Sequence, residues 1–321
     1  MNSKSGGLAS YFQVKNAIVL VPVCAFAIFD SAFSSFSAVL AEVGKQFPDV
    51  STTMIQMVLS IPSLISIPTM LLTGVLASYI RKRTIGLFSL AILLVAGLIP
   101  IISQGANFYI VLASSALIGI GQGFLHPLAS SVICEVWPAG DERRKVLGFK
   151  QAANYMGAAT ISLMVGFLAL AGWYFAYFVY ALTIPVFLIA WFRMPKGELE
   201  VRLVSHGGAG LRELVTPQML YLLILFVCAC LFQFSYYTNV AMMVSEKGLG
   251  TPADISLITS ANYLVAFCLG IMYGKMSSVI GDRTLAVGFL ILACGLTIAS
   301  LSTAFPVLVI GGLMFGFGTG V

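Results

Sequence analysis

The sequence predicts an all-α, multi-pass membrane protein built as two related halves with ten transmembrane helices. Its apolarity, its long charge-free runs and an internal repeat carry that reading. Of 321 residues, 59% are hydrophobic and 9% charged, and the mean hydropathy is +1.00. Soluble domains hold about 45–50% apolar and about 25% charged residues. A single anchor on a soluble body would restore the charge to its ordinary level, so the bilayer must take most of the chain.

The gaps between charges mark the elements, because about 20 apolar residues cross a hydrocarbon core roughly 30 Å thick. Span 1 runs from Asn16 to Ala41, interrupted only by Asp30, and span 2 from Val50 to Ile80 with no charge. The 51 residues from Thr84 to Cys134 also lack charge and are too long for one helix; Ser103-Gln104-Gly105-Ala106-Asn107 supplies the turn between spans 3 and 4. Gln151 to Phe192 is again double, turning near Ala171-Gly172, and gives spans 5 and 6. Leu214 to Ser245 is span 7, Ile255 to Gly274 span 8, and Thr284 to Val321 holds spans 9 and 10, turning between Ser300 and Pro306.

Orientation follows from the basic residues, which stay cytoplasmic in short loops. With the N-terminus inside, Lys4, Lys15, Arg81, Lys82, Arg83, Arg143, Arg144, Lys145, Lys150, Arg193, Lys196, Arg202, Arg212, Lys275 and Arg283 lie inside, and only Lys45 and Lys247 outside. The net charge of +5 is therefore topological: the cations form no continuous face for nucleic acid. The first apolar run is too long for a signal-peptide core and is read as a retained anchor. The cysteines Cys24, Cys134, Cys228, Cys230, Cys268 and Cys294 form no C-x-x-C pair, and His126 and His206 are too far apart in sequence for a metal cluster of ordinary spacing. No hydrolase, metalloprotease or phosphate-loop motif is present, so neither an enzyme nor a cofactor is expected.

The repeat has an offset of about 200 residues. Gly74, Ser78, Ile80 and Arg83-Thr84 match Gly274, Ser278, Ile280 and Arg283-Thr284, while Gly119, Gly121 and Gly123 match Gly316, Gly318 and Gly320 at an offset of 197. The expected organisation is a six-helix half (1–193), a cytoplasmic linker (194–217) and a second half (218–321) holding helices 7–10. Parallel repeats of this kind place a substrate site at the midplane between halves. By the 197-residue offset Val321 corresponds to Phe124, so the last span stops before its counterpart does, and the second half is expected to lack its last helices.

These features resemble the major facilitator superfamily of secondary transporters over the whole chain. Between its spans 2 and 3 that family carries Gly, Leu two later, Asp four later, Gly seven later and a basic pair. Here Gly74, Leu76, Lys82 and Arg83 fit, with Ser78 at the Asp position and Arg81 at the second Gly position; the later copy keeps Gly274, Gly281 and Arg283. The resemblance implies a cytoplasmic gate drawn from Arg81, Lys82 and Arg83, with Glu135 below span 4 as a partner; positive-inside placement alone would also select these cations. Ser115 replaces the span 4 Arg of proton-driven exporters, and span 5 has Gly157 but no Gly-Pro motif, so the drug-antiporter signature is absent.

A transport site should appear as polar residues on otherwise apolar helices, because polar groups facing lipid are costly. Candidates for the cavity are Ser34 and Ser37, at helical spacing from Asp30; Gln122 and His126 in span 4; Gln151 and Asn154 in span 5; Gln233 and Tyr237 in span 7; and Asn262 in span 8. Each Gln or Asn has an equally ordinary role as an interhelical hydrogen bond, and Tyr236 and Tyr237 as aromatic packing. His126, followed by Pro127, is read first as a structural donor at a kink. Asp30 lies roughly 20 Å into span 1. An ionisable group at that depth costs about 2.5–3.5 kcal/mol even on the lenient insertion scale, which makes it the candidate for proton coupling.

The expectation is a monomeric secondary active transporter in the cell membrane that moves a small organic solute by alternating access, with protons, the solute and the lipid bilayer as its partners. A facilitated-diffusion permease, or a non-transporting sensor or scaffold of the same fold, are the alternatives. The scarcity of basic residues within the spans argues against a multiply anionic solute.

Overall fold

The computed structural model describes residues 14–30, 32–137, 140–194, 217–280 and 283–320. The expected linker falls almost wholly outside them, as do Gly281 and His206. The described chain is a helical membrane bundle. Span 2 is Thr52–Leu76, span 3 Lys82–Ile102, span 4 Phe108–Val136 and span 5 Asp141–Ala169. Span 6 joins a 3₁₀ segment, Trp173–Leu182, to Thr183–Arg193; spans 7 to 10 are Pro217–Glu246, Pro252–Ile280, Thr284–Leu301 and Phe305–Gly320.

Span 1 departs most from the even helix its length suggests. It consists of an α-helix, Val14–Ala27, a 3₁₀ segment, Ala32–Val39, and a short helix, Leu40–Gln46. At the break the ladder tightens: the amides of Phe29, Asp30 and Ala32 donate to Phe26, Ala27 and Phe29, each three residues back. Backbone groups released inside a membrane must find partners in the protein. The Gln122 side chain supplies one, donating from Nε2 to the Phe29 carbonyl at 3.0 Å.

The turns come where the polar stretches put them. Ser51 and Asn107 cap spans 2 and 4 by accepting from the amides of Met54 and Tyr109. Thr251 and Asp254 cap span 8 reciprocally: the Thr251 amide donates to Asp254 Oδ2 at 2.8 Å, and the Asp254 amide to Thr251 Oγ1 at 3.4 Å. The end of the bundle that carries these turns, here the distal end, is tied by Trp173, whose Nε1 donates to Gln46 Oε1 at 3.0 Å. Arg81–Arg83, Arg143–Lys145, Arg193 and Arg283 lie at the opposite, basic end.

The glycine repeat has a packing explanation. A Cβ on Gly119 would lie 2.6 Å from the Pro62 carbonyl oxygen of span 2, on Gly121 2.7 Å from Leu93 of span 3, and on Gly123 2.8 Å from the Ser66 oxygen of span 2. In the second copy, Gly316 meets the Asn262 backbone of span 8, Gly318 the Leu292 backbone of span 9 and Gly320 the Ala266 backbone of span 8, each at 2.7 Å for the nearest main-chain atom. Alternate glycines on one helix thus seat it against two neighbours at backbone distance, in both halves.

Gly119→Ala and Gly316→Ala force backbone to move and are expected to lower stability by about 1–3 kcal/mol. Gly74→Ala, where nothing lies within 4 Å, should be near neutral. Thermal unfolding of the three variants in detergent checks this, and equal melting temperatures would contradict the close-packing account.

Candidate functional site

At the break in span 1 the Asp30 carboxylate is almost fully buried, its side chain 1% exposed. Lys150 Nζ of span 5 lies 2.9 Å from Asp30 Oδ2, with its own side chain 6% exposed. His126 Nδ1 of span 4 lies 3.3 Å from the same oxygen, and its ring is 47% exposed. The other carboxylate oxygen, Oδ1, has no such contact, and neither oxygen accepts a hydrogen bond of good geometry. Three helices thus contribute one acid and two basic nitrogens, sealed on two members and open on the third. Isolated, either buried charge would be untenable; paired, each supplies the other's counter-ion.

Local sequence explains how span 5 delivers its lysine. Lys150, Asn154 and Gly157 recur at i, i+4 and i+7 on one helix face. A Cβ on Gly157 would lie 2.6 Å from Ile28 Cα, so glycine lets span 5 approach the main chain of span 1 just beside Asp30. Lys150 was expected among the cytoplasmic loop cations. The helix begins at Asp141, nine residues earlier, which places Lys150 about 13 Å inside it. His126, expected as a donor to carbonyls freed by Pro127, instead reaches Asp30.

Toward the distal end, spans 5 and 8 pack tightly together. Ser162 Oγ donates to the Ser256 carbonyl at 3.2 Å and Ser260 Oγ to the Ala159 carbonyl at 2.9 Å. Beside this seam Tyr237 and Tyr263 stack with centroids 6.2 Å apart, flanked by Tyr155. The Tyr263 hydroxyl meets those of Tyr237 and Ser34. Further out, Gln56 Nε2 of span 2 donates to Asn239 Oδ1 of span 7 at 2.9 Å. These contacts join the first six spans to the last four on the distal side of Asp30, while His126 and Gln151 are exposed toward the basic end.

The other expected cavity residues divide. Ser37 is fully buried, and both its hydroxyl and Asn154 Oδ1 are without partners. Gln122 is engaged with the span 1 break. Asn262 is buried, and its amide, turned to suit its neighbours, donates to the Ile258 carbonyl at 2.9 Å and the Gly312 carbonyl at 2.7 Å; it ties span 8 to span 10. Gln233 is half-buried on span 7 and is not among the residues that contact Asp30.

At the basic end, Lys82 is buried, with Nζ 2.7 Å from Ser131 Oγ and 3.1 Å from Glu135 Oε2. Arg83 lies over the Trp191 ring at 5.4 Å and donates to the Trp191 carbonyl. Both contacts stay within the first six spans. Arg81 and Gly74 are exposed. Gly274 lies within the span 8 helix, and Arg283 occupies the N-cap of span 9 without a side-chain capping bond. Among the described residues no cluster of His, Cys, Asp or Glu is arranged to hold a metal.

If Asp30 and Lys150 neutralise each other, Asp30→Asn or Lys150→Gln alone should each destabilise the fold by about 3–5 kcal/mol, and the double variant by much less. Unfolding of the four forms in detergent reads the coupling. Additive losses would mean that the two groups do not act as a pair.

Comparison with known proteins locates the fold. The family model of the Major Facilitator Superfamily matches residues 18–321. A bacterial homologue of the human lysosomal transporter Spinster, solved inward-facing and unoccupied, superposes with a TM-score of 0.66 at 15% identity, covering 96% of this chain and 74% of that one. The peptide transporter POT, in complex with alafosfalin, gives 0.68 at 15% identity, and a D-xylose-proton symporter 0.62 at 15%; each match covers 94% of this chain and 79% of the other. No curated protein sequence matches the chain.

Proposed function

The chain belongs to the major facilitator superfamily, and from that premise we propose that it is a proton-coupled carrier of a small organic solute, with Asp30 as the residue that takes up and releases the proton. Membership and fold make it a multi-pass membrane protein of the secondary-transporter type. The finer reading rests on one observation: the buried Asp30 carboxylate at the break in span 1, paired with Lys150 and approached by the half-exposed His126. A carboxylate kept at that depth for structure alone would be expected to satisfy both oxygens with fixed hydrogen-bond donors, whereas neither oxygen of Asp30 has one and Oδ2 is held by charge contacts alone.

The charge distribution supports an N-terminus in the cytoplasm and residence in the cell membrane. In that orientation the seam between spans 5 and 8 and the tyrosine layer close the site to the outside, and His126 opens it to the cytoplasm. Alternating access then requires the seam to part and the basic end to close. Lys82 with Glu135, and Arg83 with Trp191, bind the inner ends of spans 3, 4 and 6 to one another, so that end can swing as a unit. Arg81, on the exposed rim, is free to face the other half when it closes.

Asp30→Asn preserves size and removes titration. In proteoliposomes, uphill uptake driven by a pH gradient is expected to fail while downhill counterflow persists. A variant that still concentrates solute under a pH difference would remove Asp30 from the coupling role and leave facilitated diffusion as the mechanism. Separately, cysteines placed beside Lys45 or Lys247 should react with an impermeant reagent in intact cells, and those beside Lys82 or Arg144 only after permeabilisation; the reverse pattern would invert the orientation.

A further inference from the structure

The charges around Asp30 specify what kind of solute the site accepts. The first helix of span 1 is packed by spans 4, 5 and 6, and its 3₁₀ segment by spans 2, 5, 7 and 8, of which span 2 carries no charge. From these, the described charged groups that reach Asp30 are His126 and Lys150. Span 6 presents Tyr177 and Tyr180 to Phe36, span 8 presents Tyr263 to Ser34 with Tyr237 of span 7 stacked on it, and Glu135 is engaged with Lys82.

With Asp30 ionised, the pair Asp30–Lys150 is neutral. When Asp30 takes a proton, Lys150 is left as a cation 6% exposed with its counter-ion gone. We propose that this vacancy is filled by the carboxylate of the solute: Lys150 is the anchor for a small monocarboxylate that enters with one proton, and His126, on the open side, offers a second nitrogen to the same anion. This rests on the proton-coupled reading above.

Charge counting gives the stoichiometry. The empty site holds −1 and +1; adding one proton and one monoanion leaves it neutral again. Both neutral forms can be carried through a low-dielectric bundle, while a form loaded with the proton alone or the anion alone buries an unpaired charge. The same balance disfavours a dianion, which one lysine cannot neutralise, and a cation, which Lys150 repels. The proton goes to Asp30 and returns from it, with no bond to the solute made or broken.

The test uses the protein in proteoliposomes loaded with a pH indicator, with the membrane potential clamped, and follows labelled lactate, gluconate and benzoate beside lactamide, glucose and benzamide. At least one acid is expected to enter faster as the outer pH falls, with one proton per acid and no response to the potential, and its neutral partner not at all. Lys150→Gln should reduce acid uptake by roughly tenfold or more. Lys150→Arg should retain acid uptake and so control for folding. Asp30→Asn should bind the acid equally at all pH values, as read by thermal shift. Acid uptake unaffected by Lys150→Gln would overturn the anchor. Proton-driven uptake of a neutral compound with none of the acids carried would overturn the monocarboxylate assignment and leave proton-coupled transport standing. Absence of proton-coupled flux for all six would remove both.

Discussion

A carboxylate and an ammonium 2.9 Å apart, both nearly closed to solvent, constrain the rest of this bundle. Neither charge is tolerable alone at that depth, so the helices that carry them must be held in contact. The break in span 1 aims Asp30 sideways. Gly157 removes the one methyl that would keep span 5 from the main chain of span 1. Gln122 then satisfies the Phe29 carbonyl that the break releases. Residues scattered over three spans are thereby explained by one requirement, that the pair be dry and the broken backbone satisfied.

The fold was legible because the bilayer imposes a coarse rule on sequence. Charge-free runs of fixed length mark spans, and the turns at residues 103–107 and near Gly172 fall where polar or glycine residues interrupt them. The glycine triplets were legible as a repeat before their purpose was: each alternates between two neighbouring helices at distances no side chain permits. What composition cannot show is the internal break of span 1. Asp30 marks its place, but Ala32–Val39 is as apolar as a continuous helix, and the 3₁₀ winding is decided by neighbours.

The candidate site was half visible. Asp30 stands out because acids within spans are rare, whereas Lys150 was hidden by the cluster Arg143-Arg144-Lys145 just before it. A positive-inside count treats all four as loop residues. The separating signal was local: Val146-Leu147-Gly148-Phe149 returns the chain to apolar character, and Lys150 shares a face with Asn154 and Gly157 rather than with the loop. Tyr263 was visible beside Asn262 as a polar group of span 8, but its partners were not. An aromatic in an apolar span carries no mark of function, and only the fold brings its hydroxyl to Ser34 and Tyr237.

The contacts have an uneven character from one end of the bundle to the other, and that bears on how it can move. The distal seam is made of serine hydroxyls, backbone carbonyls and close-approaching small residues, each worth about 0.6 kcal/mol on the scale of membrane hydrogen bonds. Such contacts can be exchanged without stranding a charge. The ionic contacts given by the described residues, by contrast, stay inside the first six spans: Asp30 with Lys150 and His126, Lys82 with Glu135, and Lys45 with Glu42. Separation of the two sets of helices therefore breaks weak neutral bonds and leaves every described ion pair intact. What stays fixed at the site is the Asp30–Lys150 pair, which on the proposed reading is where a transported charge acts.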